Sequence, residues 1–156
     1  MNDGNTMLLV MATMMLTCGL IFGSTYAIHR IRKWKLSKSR DLFFLRREWL
    51  EADFLTRASE SGKPRGLEWL DCEFADEVTF ARDRSTGELR ALVGVTISFR
   101  AVEGGGMEHV EAVGNLRSAT AVFHSIQGKW ETDGRAIFNL DPHQTIRHFQ
   151  HELEHV

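Results

Sequence analysis

An uncharged, mostly apolar stretch near the N-terminus constrains this chain more than any other feature. The stretch runs from Met7 to Ile28, and a basic segment follows it at once. A helix rises about 1.5 Å per residue, so this stretch would be roughly 33 Å long, enough to cross a hydrocarbon core of about 30 Å. We therefore predict a transmembrane helix at residues 7–28, preceded by a short extracytoplasmic tail at residues 1–6.

A cleaved secretory signal is the alternative interpretation of this stretch. Residues 1–6 contain no Lys or Arg, and the apolar run is longer than the roughly 7–15 residues of a signal core. Small residues at 24–27 would still permit cleavage. We expect an anchor that is retained.

The basic segment at residues 29–40 predicts the orientation. Lys and Arg resist translocation, so the N-terminus is expected outside and the remainder in the cytoplasm, as in a single-pass protein of the cell membrane. The same side chains would lie at the membrane surface, close to anionic headgroups. They are Arg30, Arg32, Lys33, Lys35, Lys38 and Arg40.

Small residues recur every four positions within the predicted span. Gly19, Gly23 and Ala27 would form a shallow groove on one helix face, where a second membrane helix could approach closely. A homodimer through this helix is therefore one predicted partnership, besides the lipid bilayer and a protein partner of unknown identity.

Charge and motifs exclude several function classes for the remainder of the chain. The net charge is −2 although residues 29–40 are strongly basic, so the following domain is acidic and nucleic-acid binding is not expected. Cys18 and Cys72 are predicted on different sides of the membrane boundary, which excludes a disulfide framework. The glycines at 104–106 are not followed by Gly-Lys-Ser/Thr, so we predict a turn there and no cofactor.

Periodicity predicts an α+β domain at residues 41–156, behind a basic connector at 29–40. We expect an amphipathic helix packed on a curved antiparallel sheet of about 4–5 strands, followed by a C-terminal helix. Residues 61–66 are expected to break the chain after the first of these helices. The candidate segments for these elements are a helix at 41–59, strand-like segments at 67–74, 77–83, 89–99, 110–113, 116–126 and 130–140, and a helix at 142–155.

The residues His151, Glu152 and His155 form an HExxH pattern, which in zinc hydrolases supplies two metal ligands and a general base. A third ligand would have to lie upstream, at His124 or Asp133. On a helix, the histidines fall opposite the apolar stripe and so face water. We therefore predict no catalytic or metal site, and keep the zinc hydrolase as one alternative.

A helix followed by antiparallel strands, with a late Gly128-Lys129-Trp130-Glu131 hairpin, resembles the cystatin and NTF2-like folds. In those domains a curved sheet wraps a helix. The resemblance covers about residues 41–140 and implies either a pocket-bearing or a dimerising module, because such folds host many functions.

The sequence thus favours a non-catalytic interaction or scaffolding module on a membrane anchor. The alternative is a small-ligand pocket inside the curved sheet. Its expected lining is Trp69, Phe99, Trp130 and Phe138.

Overall fold

The computed structural model describes residues 3–61 and 66–156. Residues 1, 2 and 62–65, which include part of the predicted tail and of the predicted chain break, lie outside the described residues. The chain divides into two compact units, Met1–Leu42 and Phe43–Val156.

The first unit consists of helix α1, which runs from Asp3 to Leu45 and continues into the second unit. Two hydroxyl groups bond back to the helix backbone. Thr17 Oγ1 donates to the carbonyl of Met14 at 2.9 Å, and Thr25 Oγ1 donates to that of Phe22 at 2.9 Å. The predicted basic connector is part of this helix.

The prediction of a transmembrane helix at residues 7–28 is wrong. Among the residues that the structure describes, no helix is both long enough and apolar enough to cross a membrane. The prediction counted uncharged length, but uncharged is not the same as apolar: the stretch also contains Thr13, Thr17, Gly19, Gly23, Ser24 and Thr25. The predicted cell-membrane localisation, the outside N-terminus and the membrane part of the fold class are corrected with it.

The second unit is α+β and contains one antiparallel sheet of six strands. The strands are ordered β4-β3-β2-β1-β6, and β5 pairs with β3 beyond the end of β4. The elements after α1 are α2 (Arg47–Ser61), β1 (Leu67–Asp83), β2 (Leu89–Ala101), a 3-10 turn (Glu111–Gly114), β3 (Arg117–Ile126), β4 (Lys129–Glu131), β5 (Ala136–Phe138), α3 (Pro142–His148) and β6 (Leu153–His155).

The first face of the sheet holds the aromatic core. Alternate residues of β2 point to this face, and α2 covers it with Leu50 and Phe54, both fully buried. The ring of Phe43 lies 5.5 Å from that of Phe123 and 5.1 Å from that of Trp130. Edge-to-face packing of this kind adds to the free energy gained by burying the rings.

The second face of the sheet is only partly covered. Ile146 of α3 packs with Ala81, Leu92 and Val122 in a smaller apolar cluster, to which Leu153 also contributes. The remainder of this face carries polar side chains. This uneven cover leaves an open space beside the start of α3.

Two predicted strand boundaries differ from the structure. The predicted strands 67–74 and 77–83 are one strand, β1, with register shifts at Trp69/Asp71 and Phe74/Val78. The predicted strand 130–140 is divided into β4 and β5, because Gly134 turns the chain with φ 75° and packs against the backbone of Arg57 and Ala58. A side chain at Gly134 would overlap that backbone.

Residues 111–114 form a 3-10 turn where a strand at 110–113 was predicted. The predicted helix 41–59 is interrupted at Arg46, so that its first turns belong to α1 and the rest is α2.

The C-terminal helix begins as predicted and ends early. The Asp141 carboxylate accepts a hydrogen bond from the backbone amide of Gln144, and the Gln144 side-chain oxygen accepts one from the backbone amide of Asp141, which together form a capping box. Pro142 occupies the first turn of the helix, where its missing N–H costs nothing. The helix stops at His148, and the chain turns so that Leu153–His155 pair with residues 81–83 of β1. The predicted extension to His155 is wrong because this strand pairing is available to the last residues.

The aromatic core predicts a large cost for truncating its centre. Trp130 is 2% exposed. The substitution Trp130→Ala should lower the free energy of unfolding by about 3–5 kcal/mol, because the cavity that it leaves cannot fully collapse. Urea unfolding followed by far-UV circular dichroism measures the difference. Leu116→Ala is the control: that side chain is 67% exposed, and its loss should change stability by less than about 0.5 kcal/mol. Equal effects of the two changes would contradict the core described here.

Candidate functional site

A cavity of about 720 Å³ lies on the second face of the sheet, beside the start of α3. Strands β1, β2 and β3 supply its floor, and the segment 139–144 supplies one wall. The residues that line it are Glu73, Phe74, Ala75, Gly94, Val95, Thr96, Ser118, Ala119, Asn139, Leu140, Asp141, Pro142 and Gln144.

Gly94 makes room for this cavity at the centre of β2. A Cβ atom at this position would lie 3.5 Å from the Ala75 side chain and 4.0 Å from Cδ of Pro142. A methyl group therefore fits, whereas a branched side chain would occupy the floor. Glycine inside a strand weakens the strand and often marks the close approach of another group, which fits its place here.

A row of polar side chains crosses the three strands below Gly94. Glu73 is paired with Thr96, and Thr96 is paired with Ser118, so the three lie side by side on one face. Carboxylate and hydroxyl oxygens accept hydrogen bonds. The floor of the cavity therefore offers several acceptors in a line.

Two hydrogen bonds fix the wall at residues 139–141, which includes one residue in a strained backbone conformation. Asn139 has φ 60°, a left-handed conformation that is uncommon outside glycine. Its amide donates to the Ser118 carbonyl at 3.0 Å, and Thr120 Oγ1 donates to the Leu140 carbonyl at 2.7 Å. Strained residues of this kind persist where the surroundings fix them, and they occur often at binding sites.

The opposite wall depends on Arg47 of α2. Its guanidinium group donates to the carbonyl oxygens of Ala75 at 2.5 Å and Asp76 at 2.7 Å, at the irregular part of β1. The same group forms an ion pair with Glu51 at 2.7 Å. Charged donors make the stronger hydrogen bonds, so Arg47 fixes the part of β1 that borders the cavity.

The cavity carries negative charge. Glu73 and Asp141 contribute carboxylates, and no Lys or Arg is present among the described residues that line it. The apolar side chains of the lining are Ala75, Leu140 and Pro142. Such a lining accepts a molecule that has an apolar body and a positively charged or hydrogen-bond-donating group.

Three of the four residues predicted to line a pocket come together, but on the other face of the sheet. The Trp69 ring lies 5.2 Å from Phe99 and 6.4 Å from Phe138. Trp130 lies elsewhere, 6.0 Å from Phe80. These rings pack against one another, and none of them lines the cavity described above.

The structure does not place the HExxH residues on a helix. His151 and Glu152 lie in the turn after α3, and His155 lies in β6, so the one-turn spacing of the zinc motif is absent. The His155 ring stacks on that of His143 at 6.1 Å. Within residues 3–61 and 66–156, no group of three His, Cys, Asp or Glu side chains could hold a metal ion.

The predicted upstream ligands have other partners. His124 is paired with Glu131 across β3 and β4, and the Asp133 carboxylate accepts the Arg135 amide at 3.1 Å.

The residues predicted to pair helices or contact a membrane surface lie on α1. Gly19, Gly23 and Ala27 are exposed, and apart from the adjoining residues and backbone of α1 itself no described atom lies within 4 Å of a Cβ built on either glycine. Pairing through them stays a prediction, now without the bilayer on which it was based. The basic residues at 30–40 are likewise part of α1.

Cys72 is a structural thiol. Burial, and secondarily the nearby Asp71 carboxylate, raise the pKa of Cys72 to about 12. The thiolate, which is the nucleophilic form, is therefore scarce at neutral pH. Cys18 and Cys72 are both free.

The comparisons with known proteins gave no relative. No protein-family model, no curated protein and no solved structure matches this chain. The resemblance to cystatin and NTF2-like domains stays a prediction.

The cavity residues Gly94, Asn139, Glu73 and Asp141 were not identified as a site from the sequence. One signal was present: Gly94 interrupts the apolar and polar alternation of residues 89–99 at its centre. The left-handed Asn139 and the approach of Pro142 to Gly94 depend on contacts between distant parts of the chain.

A second cavity, of about 50 Å³, lies beside Asp83. The Asp83 carboxylate accepts the Ser85 hydroxyl at 2.6 Å and Arg90 Nη2 at 2.9 Å. These bonds, with smaller contributions from the amides of Ser85 and Thr86, lower the pKa of Asp83 below its ordinary value. Asp83 is the last residue of β1 and stabilises the turn that leads into β2, which gives it a structural role.

The lowered pKa of Asp83 predicts part of the acid sensitivity of the fold. A depressed folded-state pKa contributes stability above the unfolded-state value, near pH 4, and this contribution is lost as pH falls through the folded-state value. Asp83→Asn should therefore lower stability at pH 7 by on the order of 1 kcal/mol. It should also reduce the loss of stability between pH 5 and pH 2, measured by urea unfolding at each pH. Glu131→Gln on β4 is the matched control. An unchanged pH dependence in Asp83→Asn would show that these bonds do not act as described.

Proposed function

We propose that this chain is a non-catalytic binding module for a small organic amine, which occupies the cavity above Gly94. The observation that carries the proposal is a cavity of about 720 Å³ that contains two carboxylates and, among its described lining, no Lys or Arg. Ligand pockets span about 300–1,000 Å³ and combine an apolar lining with a few polar groups. The cavity has this size and this composition.

The charge of the lining selects the ligand class. An anionic ligand would meet Glu73 and Asp141 with no Lys or Arg among the described lining residues to compensate, whereas an ammonium group would be attracted by both. The row formed by Glu73, Thr96 and Ser118 supplies acceptors for the three donors of an ammonium group. The apolar part of the ligand would contact Leu140 and Pro142.

The hydrogen bonding of the lining favours binding over catalysis. The Asp141 carboxylate caps α3 by accepting the Gln144 amide at 2.7 Å, so it is already engaged as a structural group. The lining contains no His or Cys among the described residues. Covalent catalysis commonly uses a nucleophile activated by a His or a Cys of lowered pKa, and the described lining supplies neither residue.

Binding of phenethylamine tests the ligand class, with 3-phenylpropanoate as the anionic control. We expect saturable shifts of amide signals from residues 94–96 and 139–141 in two-dimensional NMR with the amine, and none with the acid. Glu73→Gln should weaken amine binding about two- to fivefold, because an exposed ion pair contributes only about 0.2–1 kcal/mol. Glu77→Gln, on the same strand but outside the lining, is the matched control and should leave the affinity unchanged.

A second variant tests the cavity itself. Gly94→Val would place methyl groups in the floor, between Ala75 and Pro142, and should abolish binding. Gly94→Ala, whose added methyl fits, verifies that the strand tolerates a side chain. Amine binding that survives Gly94→Val, or equal binding of the amine and the acid, would refute the proposed function.

A further inference from the structure

The two carboxylates of the cavity above Gly94 belong to different parts of its lining. Glu73 lies on β1, at one end of the polar row that it forms with Thr96 and Ser118. Asp141 lies in the segment that leads into α3, which forms a wall of the cavity. A ligand in the cavity is therefore bordered by one negative charge on the floor and by a second negative charge on the wall.

Contacts on either side of Asp141 locate it over the sheet. The carbonyl of Leu140, the residue before it, accepts a hydrogen bond from Thr120 Oγ1 of β3 at 2.7 Å. Cδ of Pro142, the residue after it, lies 4.0 Å from a Cβ atom built on Gly94 of β2. Asp141 is therefore held above strands β2 and β3.

Strand geometry gives the separation of the two carboxyl-bearing residues. Glu73 lies opposite Thr96, which is two residues beyond Gly94 on β2. Neighbouring strands are about 4.8 Å apart and a strand rises about 3.3 Å per residue, so the backbones of Glu73 and Asp141 are separated by on the order of 10 Å. An ammonium group must lie within about 3 Å of a carboxylate to form a hydrogen-bonded ion pair. The separation therefore suits two ammonium groups joined by a chain.

The Asp141 carboxylate can accept a second donor while it caps α3. The cap uses Oδ1, which accepts a hydrogen bond from the Gln144 backbone amide at 2.7 Å. A carboxylate has two oxygens with about four lone-pair sites, so Oδ2 can accept a donor from the cavity. Asp141 is exposed, and a ligand can reach it without a change in the helix. The wall thus offers an acceptor for an ammonium group, as the floor does.

The lining between the two carboxylates suits a methylene chain. Ala75, Leu140 and Pro142, which supply its apolar side chains, are all aliphatic. Phe74 is the one aromatic residue of the described lining, and its ring packs 5.6 Å from that of Phe54 on the first face of the sheet. Quaternary ammonium groups are typically bound by aromatic rings, so a primary ammonium group fits this lining better.

We propose that the ligand is a linear aliphatic diamine, with one ammonium group at Glu73 and the other at Asp141. This ligand occupies the cavity of the proposed function, so the inference rests on that function and adds a second ammonium group to the amine. An extended chain of five carbons places its two nitrogens about 7 Å apart. An ion pair adds about 2.8 Å at each end, so the diamine has the length that the two carboxylates require.

Isothermal titration calorimetry of the full chain compares 1,5-diaminopentane with pentylamine, which has the same chain and one ammonium group. We expect the diamine to bind about three- to tenfold more tightly, because a second exposed ion pair contributes up to about fivefold and the diamine has two equivalent ends. Among diamines of about three to eight carbons, affinity should be highest near five, since a shorter chain cannot reach both carboxylates.

Asp141→Asn separates ligand binding from helix capping, because Asn caps a helix as well as Asp does. It should reduce the preference for the diamine to about twofold or less and change the affinity for pentylamine by less than about twofold. Asp76→Asn removes the same charge just outside the lining and should leave the preference unchanged. Far-UV circular dichroism verifies that both variants are folded.

The outcomes distinguish the diamine from the amine site itself. Binding of the diamine and pentylamine that differs by about twofold or less would overturn the diamine inference and leave the proposed amine site in place. A preference that Asp141→Asn does not change, or an affinity that rises steadily with chain length, would also overturn it. If neither compound binds, the proposed function fails as well.

Discussion

The packing of aromatic rings against one face of the sheet is the interaction on which the rest of the second unit depends. Phe54 lies 5.6 Å from Phe74 and 5.8 Å from Phe123, so α2 is joined to both β1 and β3 by one side chain. Side chains alternate along a strand, and a slip of one residue would exchange the two faces. By fixing the register, this core also determines that Gly94 and Thr96 point to the opposite face, where the cavity lies.

Local patterns predicted the elements whose determinants are local. The alternation along residues 89–99 identified β2, and the Asp-Pro-x-Gln sequence at 141–144 identified the first residue of helix α3. The end of α3 could not be predicted, because residues 153–155 pair with residues 81–83, far away in the sequence. Likewise, the irregular part of β1 is stabilised by hydrogen bonds from Arg47, which belongs to another element. The transmembrane prediction failed for a different reason, since it equated an absence of charge with strong apolarity.

The candidate site was harder to predict than the fold. The floor of the cavity depends on Gly94, which leaves space because it has no side chain. Since a single glycine is not a chemical motif, the sequence does not mark the cavity. Its wall depends on Asn139, whose left-handed conformation is fixed by the Ser118 carbonyl on another strand. The HExxH residues had the opposite effect, because their chemistry suggested a site that the structure does not form. The histidines near the C-terminus suggested a metal, but the metal geometry required a helix that β6 replaces.

Helix α2 and the cavity share one structural connection. Arg47 lies on α2, and its guanidinium group donates to the carbonyl of Ala75 in the cavity wall and to that of Asp76 beside it. Any displacement of α2 therefore acts on the same hydrogen bonds that shape the cavity. Because binding free energies are linked, a ligand that favours one position of α2 would bind more tightly whenever another interaction holds α2 in that position.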